Sequence, residues 1–209
     1  MNTIAKKNEL IFNYSSGLLG EAKSLLASMY LYLNSSASKN ARIFDSILGD
    51  ELLNLEDKSP KRLKYTDCIS HQQNTNAQSN SIVSPISSIV GNLEELNWKS
   101  VYKGFKEFEL PIKDKDKIKL IKMDPGTSVP LHSHNGREYI LVLDGSFSDE
   151  HGEYTKGDLQ INDHDIKHHP SASKNKGCIC LSITESGVVF YGPFASLLNL
   201  FTFIKSFFK

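Results

Sequence analysis

The first third of the chain carries apolar residues at the spacing of an α-helix. Between residues 10 and 55 they recur every third or fourth position and form a stripe, with polar residues on the other side. The pattern predicts two or three amphipathic helices in a short N-terminal domain, residues 1–69. The stripe consists of Leu18, Leu19, Ala22, Leu25, Leu26, Met29 and Leu33, and then of Phe44, Ile47, Leu48 and Leu52 after the polar break NSSASKN.

A polar segment follows these predicted helices. SHQQNTNAQSNSIVSPISS, residues 70–88, is dominated by Ser, Asn and Gln. Such a composition cannot bury enough apolar surface to fold by itself. We therefore expect residues 70–92 to be a linker between two domains.

After Trp98 the apolar period becomes that of β-strands. The short segments FKEFELPI, KIKLIKM, EYILVL, DLQI and GCICLSIT are separated by Gly, Pro, Asn and Asp, which predicts an all-β sandwich or barrel over residues 93–194. The tail, residues 195–209, is apolar on nearly all sides but too short to span a bilayer. We expect it to be a helix that packs on the barrel or on a partner. The predicted fold class is α+β with two domains.

Composition excludes some classes of function. The chain has 24 Lys plus Arg and 24 Asp plus Glu, so its formal net charge is zero. Direct binding of nucleic acid needs a concentrated basic surface, and we therefore expect none. No apolar run reaches the length of about 20 residues that a membrane span needs.

Cysteine usage bears on the compartment. Cys68, Cys178 and Cys180 are odd in number and do not make a disulfide framework. The N-terminus lacks the long apolar core of an export signal. Both features predict a cytoplasmic protein.

Histidines cluster in one part of the chain, where six of the seven lie within residues 132–169. His132, His134 and Glu138 have the same parity, so they face one side if the strand continues past the bend NGR. Their side chains are suitable ligands for a divalent first-row metal ion. A fourth ligand has to come from a neighbouring strand, and DIKHHP, residues 165–170, offers two histidines. The alternative for a bare His-x-His is a solvated strand face.

Glycines frame this cluster at a regular spacing, which favours the metal site. The order is Gly126, five residues, His132-x-His134, three residues, Glu138, six residues and Gly145. Residue for residue, this order resembles the first sequence motif of the cupin superfamily. The resemblance implies a jelly-roll barrel that holds one divalent ion.

The second cupin motif is less complete. GEYTKGD, residues 152–158, resembles its opening turn, and His168 takes the place of its histidine, but DHD, residues 163–165, replaces the usual Pro-x-Gly. His168 is preferred to His169 because it aligns best and because adjacent strand residues point to opposite faces. The predicted metal ligands are His132, His134, Glu138 and His168.

The likeness extends beyond these motifs. LHSHNGREYILVLDGSFSDEHGEYTKGDL, HHP and GCICLSIT resemble the cupin half of the ChrR family of anti-sigma factors, and NELIFNYSSGLLGEAKSLLASMYLYL resembles the opening helices of that family. The resemblance implies a transcriptional regulator whose helical domain binds and inactivates an extracytoplasmic-function sigma factor. It also implies a barrel, monomeric or forming a homodimer, that is needed for the response to singlet oxygen or organic hydroperoxides.

The N-terminal region differs from that family in one respect. The family's N-terminal domain normally carries a structural zinc ion held by histidines and a Cys-x-x-Cys pair. Residues 1–67 contain neither His nor Cys. Tyr30 stands about where a ligand histidine is expected, and Asn34 and Ala37 about where the cysteines would be. No tetrahedral zinc site can be assembled there, so packing or a partner must hold the helices together. We expect sigma-factor binding without zinc, because the amphipathic stripes survive.

Alternatives stay open for both the identity of the metal ion and the function. Zinc is favoured in the barrel as a redox-inert ion, although the same ligands bind iron, manganese or nickel equally well in principle. Four such ligands leave coordination positions open, which metal-dependent cupin dioxygenases use for dioxygen and a small organic substrate. Such an enzyme is the alternative to the regulator, and a stand-alone small-molecule-binding cupin is the third reading.

Two further groups of side chains have an expected role. Cys178 and Cys180 share one face of a strand and are expected to be small buried apolar residues, with a redox pair as the alternative. The carboxylates of Asp144, Asp149 and Glu150 do not form a convincing acid–base pair, and we expect a solvated barrel rim.

Overall fold

A computed structural model describes residues 3–54 and 85–193, together with residues 195, 196 and 199. The helices within these ranges are α1 (Thr3–Ser15), α2 (Glu21–Leu33), α3 (Ser35–Asn54) and α4 (Pro85–Val90). The strands are β1 (Lys99–Tyr102), β2 (Phe105–Glu109), β3 (Lys117–Met123), β4 (His132–His134), β5 (Glu138–Asp149), β6 (Gly152–Thr155), β7 (Leu159–Asn162), β8 (Ser171–Ala172), β9 (Cys178–Thr184) and β10 (Val188–Phe190). A helical N-terminal region followed by an antiparallel β domain confirms that part of the predicted fold class.

The strands form two antiparallel sheets. The larger sheet has the order β1-β2-β3-β9-β5-β6, with β7 and β8 also paired to β5, and the smaller sheet pairs β10 with β4. The register of β5 against β9 shifts between Val142 and Asp144. Gly145 follows this bulge with a φ of 71°, and a Cβ there would collide with the carbonyl oxygen of Gly177. The second glycine of the cupin motif is therefore required by the backbone of the bulge.

Strand β5 is buried on both faces. Tyr139 and Leu141 belong to a core that the sheet shares with the helices, whereas Ile140 and Val142 belong to the barrel interior. Successive strand residues point to opposite faces, so burial on both sides explains the continuous apolar run EYILVL. The shared core also contains Leu10, Ile11, Ala22, Leu26, Ala27, Met29, Ile86, Ile118, Leu120, Leu159, Ile161, Leu181 and Ile183.

The predicted helical stripe is largely confirmed. Ala22, Leu26 and Met29 lie on one side of α2 and are buried against the sheet. Leu18 is different, because it lies in the loop before α2 and is 71% exposed. Ile47 on α3 is also exposed. A helical period marks a possible buried face, but only the neighbouring elements decide how far along the helix that face is covered.

The barrel caps helix α2. The N-cap residue Gly20 has no side chain to accept a hydrogen bond. Asp114, in the loop before β3, accepts one from the Ala22 backbone N–H at 3.0 Å. A Cβ on Gly20 would lie 2.6 Å from the same carboxylate oxygen, so the glycine leaves room for the cap. A residue distant in sequence thus satisfies one of the unpaired N–H groups at the start of the helix.

Parts of the predicted domain division fall outside the described residues. These are residues 55–84, which include Cys68 and most of the predicted linker, and most of the predicted apolar helix 195–209. The division into 1–69, 70–92, 93–194 and 195–209 therefore stays a prediction. Within 70–92 the described residues 85–92 include α4, whose Ile86 is buried in the shared core. In the part of the chain that the structure describes, no helix has both the length and the hydrophobicity of a membrane span.

Candidate metal centre

The four residues predicted as metal ligands lie together inside the barrel. His132 and His134 are on β4, Glu138 begins β5, and His168 lies between β7 and β8. The backbones of His132 and His168 exchange hydrogen bonds of 3.1 and 3.0 Å, which fixes the two segments side by side. One potential ligand atom from each of the four side chains lies within 4.8 Å of the others, and all four residues are buried.

The distances between the ligand atoms fit a single cation. His168 Nε2 is 3.0 Å from His132 Nε2 and 3.4 Å from Glu138 Oε2. His134 Nε2 is 3.0 Å from the same Glu138 oxygen. Ligands that each lie about 2.1 Å from one ion are about 3.0 to 3.4 Å apart when the angle between them is about 90 to 110°. The donor set is three imidazoles and one carboxylate, which suits a divalent first-row metal ion.

An unsatisfied side chain supports this fit. Both ring nitrogens of His134 are buried, and neither has a hydrogen-bond partner of acceptable geometry among the described residues. Buried polar atoms are almost always paired, because leaving one unpaired in the interior costs free energy. A metal ion between the four side chains would give His134 the partner that it lacks.

Burial and ion pairing shift the pKa values of the cluster in different directions. Burial alone would lower the pKa of His168, but hydrogen bonds to Asp149 and Glu138 outweigh it and raise the pKa to about 9. Burial lowers the pKa of His132 to about 4. Burial alone would raise the pKa of Glu138, but the facing His134 and His168 side chains lower it well below its usual value. The buried Glu138 carboxylate is therefore ionised. A cation held between this carboxylate and the imidazoles would balance its charge.

Asp149 is a part of the site that sequence reasoning missed. The prediction that it lies on a solvated rim with Asp144 and Glu150 is wrong for Asp149, whose side chain is 0% exposed. Its Oδ2 lies 3.2 Å from His168 Nδ1 and accepts a hydrogen bond of 2.7 Å from Gln160 Nε2. A carboxylate behind a ligand histidine orients the ring and makes it a better electron donor.

The bulge in β5 explains this error. Before the bulge, the even-numbered Glu138 and Val142 face the barrel interior, but after it the odd-numbered Phe147 and Asp149 do so. One extra residue in a strand reverses the faces of all residues that follow. Gly145 was the available signal, because a glycine inside an apolar strand often marks a bulge.

Other contacts orient the remaining side chains of the cluster. His132 Nδ1 donates a hydrogen bond of 2.8 Å to the Pro130 carbonyl oxygen, which leaves Nε2 as the ligand atom. Asn162 Nδ2 donates to Glu138 Oε2 at 3.3 Å. Ligands held by such neighbours need little rearrangement when an ion binds.

The two cysteines of β9 lie in the barrel interior, as expected for small buried residues. Cys178 and Cys180 are both free thiols and pack with Met123, Val142 and Phe147. A hydrogen bond with Cys178 and burial both raise the pKa of the Cys180 thiol. A thiol with a raised pKa is protonated at neutral pH and reacts slowly as a nucleophile.

Comparisons with known proteins find similar sequences and a similar structure. Residues 87–186 match the family described as the ChrR Cupin-like domain. The chain is 28% identical to the anti-sigma-E factor ChrR of Cereibacter sphaeroides over 203 residues. This alignment covers 92% of this chain and 94% of that protein. A crystal structure of Rhodobacter sphaeroides SigE in complex with the anti-sigma ChrR matches with a TM-score of 0.73 and 28% identity, over 85% of this chain and 96% of that chain. The resemblance to the ChrR anti-sigma factors is thereby confirmed.

Proposed function

We propose that this chain is a ChrR-type anti-sigma factor that acts in the cytoplasm. Its helical half binds an extracytoplasmic-function sigma factor and keeps it from RNA polymerase, and its barrel carries a metal centre that responds to oxidative stress. The observation that carries this proposal is the likeness to the ChrR chain of a SigE–ChrR complex over 85% of this chain. That share is too large for the barrel alone, so the helices contribute to the likeness.

The helical half presents apolar side chains that suit a protein partner. Ile43 and Ile47, one turn apart on α3, are 57% and 53% exposed. Phe12 on α1 is also exposed and packs edge-on against Phe44 of α3 with ring centroids 5.6 Å apart. We define Phe12, Ile43 and Ile47 as the partner surface. Apolar side chains at helical spacing are what a partner buries when it binds a helix face.

The helices support this role without a zinc ion of their own. Leu26 and Met29 of α2 are fully buried in the core shared with the sheet. Burying such a side chain contributes about 1.5 to 3 kcal/mol. The barrel therefore supplies the stabilisation that a structural zinc supplies in other small helical domains.

The barrel is proposed to hold one divalent ion, with zinc favoured, through His132, His134, Glu138 and His168. When bound, the ion would supply a positive charge at the place where β4, β5 and the segment before β8 meet. The chain's own contribution is to fix the ligands, since Asp149 orients His168 and the Pro130 carbonyl orients the His132 ring.

A co-purification experiment tests the partner. The tagged full chain is co-expressed with each extracytoplasmic-function sigma factor of the same genome, and we expect a stable complex with one of them. Ile47→Asp should weaken that complex about tenfold or more, because a charge at the centre of an apolar contact is costly. Val101→Asp is the matched control, since Val101 is 42% exposed but lies on the edge strand β1. Recovery of no sigma factor with the full chain refutes the proposed partner.

Metal analysis tests the barrel and separates the alternative. We expect one zinc ion per chain, lost in His134→Ala. Purification with iron, together with iron-dependent consumption of dioxygen in the presence of an organic substrate, would favour a dioxygenase instead.

A further inference from the structure

Three charged residues lie outside the barrel directly behind the metal centre. Arg137 precedes the ligand Glu138 in the chain. Glu138 pairs with Asn162 of β7 and with Thr184 of β9. Asp163 and Glu185 are the residues that directly follow these two partners. We call Arg137, Asp163 and Glu185 the outer triad. Neighbouring residues of a strand point to opposite faces, so side chains next to inward-facing ones point outward to the helices.

The outer triad contacts helix α1 through ion pairs. Arg137 Nη1 is 3.2 Å from Glu9 Oε1, and Arg137 Nε is 3.4 Å from Asp163 Oδ1. The other oxygen of Asp163 lies 2.5 Å from Lys6 Nζ, and Lys6 is a buried lysine. Lys6 and Glu9 of α1 are therefore held by Asp163 and Arg137, which are adjacent in sequence to residues of the metal centre.

Helix α2 is connected to the same place. Glu185 Oε1 accepts a hydrogen bond of 2.6 Å from Lys23 Nζ of α2. Its other oxygen accepts a hydrogen bond of 3.0 Å from the backbone N–H of Arg137. Glu185 thus joins α2 to the backbone directly before Glu138.

Apolar packing does not fill this part of the interface. A cavity of about 110 Å³ lies between the helices and the sheet. Its lining comes from both halves and includes Leu10, Leu19, Lys23, Arg137 and Ile161. Around the cavity, the polar contacts of the outer triad connect the helices to the sheet at a place where the two are not closely packed.

We propose that the outer triad couples occupancy of the metal centre to the docking of α1 and α2 on the barrel. This inference rests on the proposed function and adds a route for its regulation. An ion that holds Glu138 also fixes the backbone of Arg137, and through it the ion pairs to Glu9 and Asp163. Release of the ion frees the start of β5 and weakens those pairs. Helix α1, which contributes Phe12 to the partner surface, then detaches more readily from the barrel.

Hydrogen exchange of the full chain tests this coupling. Backbone amides are followed by mass spectrometry with zinc bound and after removal of zinc by a chelator. We expect amides of α1 to exchange about 5- to 150-fold faster after zinc removal, the range of typical coupling between sites. Amides of β1 and β2, which β3 separates from β9 in the sheet, should change much less.

Two variants identify the residues involved. In Arg137→Met and in Glu9→Gln, α1 should exchange fast with and without zinc, while the zinc content stays at one ion per chain. Glu9→Gln keeps the size of the side chain and leaves the barrel untouched, so it carries the test if Arg137→Met fails to fold. Arg42→Met, at an exposed arginine of α3, is the matched control and should keep the zinc effect.

The outcomes separate this inference from the proposed function. Bound zinc with no effect on α1 exchange in the unmodified chain overturns the coupling and leaves the metal centre in place. A zinc effect that persists in both Arg137→Met and Glu9→Gln overturns the role of the outer triad. A chain that binds no metal ion overturns the metal centre and the coupling together.

Discussion

Asp149→Asn is the substitution that most directly probes how the metal centre is built. The Asp149 carboxylate is fully buried and accepts hydrogen bonds from His168 Nδ1, at 3.2 Å, and from Gln160 Nε2, at 2.7 Å. Asparagine keeps the size and one acceptor oxygen but removes the charge. The His168 N–H then loses its ionic partner in the interior, at a cost of about 1 to 3 kcal/mol.

This cost appears as weaker metal binding. Loss of a carboxylate behind a ligand histidine lowers metal affinity about 10- to 100-fold, which corresponds to about 1.4 to 2.7 kcal/mol. We expect Asp149→Asn to fall in this range in a competition titration of zinc against a chromophoric chelator. The far-ultraviolet circular dichroism should stay unchanged.

Asp144→Asn is the control on the same strand. Its carboxylate is partly exposed and pairs with Lys176 at 2.8 Å on the surface, where an ion pair contributes about 1 kcal/mol at most and has no route to the metal. Zinc affinity should stay within about twofold of the unmodified chain. Equal affinities of Asp149→Asn and the unmodified chain would refute the orienting role of Asp149.

Further predictions concern the ligands, protons and the helix cap. Glu138→Gln should abolish zinc binding at micromolar metal, as elemental analysis after dialysis would show, because it removes the only anionic ligand of the predicted set. Zinc binding should release about one proton at pH 7 and none well above pH 9, because His168 with its pKa of about 9 must lose a proton to bind. Calorimetry in two buffers of different ionisation enthalpy measures the number of protons released. A number that does not change with pH contradicts the prediction. Asp114→Ala should lower the free energy of unfolding in urea by about 1 kcal/mol through loss of the α2 cap. The backbone hydrogen bond from Ala22 lowers the pKa of Asp114 from 3.8, so this difference should be present at pH 7 and vanish as the pH falls below about 4; a difference that persists in acid contradicts the cap.

Several features of this protein follow from its sequence alone. The glycine-framed spacing from Gly126 to Gly145 is local, and it predicted that His132, His134 and Glu138 lie together. The structure brings them together from two strands, β4 and β5. The fourth, His168, followed from the second motif, and the structure places it in the same cluster. The helical stripe predicted the buried face of α2 for the same reason, since the period of a regular element is written in consecutive residues.

Other features were decided only when distant segments met. The bulge in β5 turned Asp149 inward, although parity counted from Glu138 points it to the other face. The cap of α2 comes from Asp114, a residue 92 positions after Ala22. Arg137 of the outer triad binds Glu9, which lies 128 positions away in the chain. Sequence periodicity reports which face of an element is apolar, whereas the pairing of polar groups depends on which other element covers that face. The cluster of candidate metal ligands could therefore be predicted from the sequence, but the contacts that connect the cluster to the helices are a property of the tertiary structure.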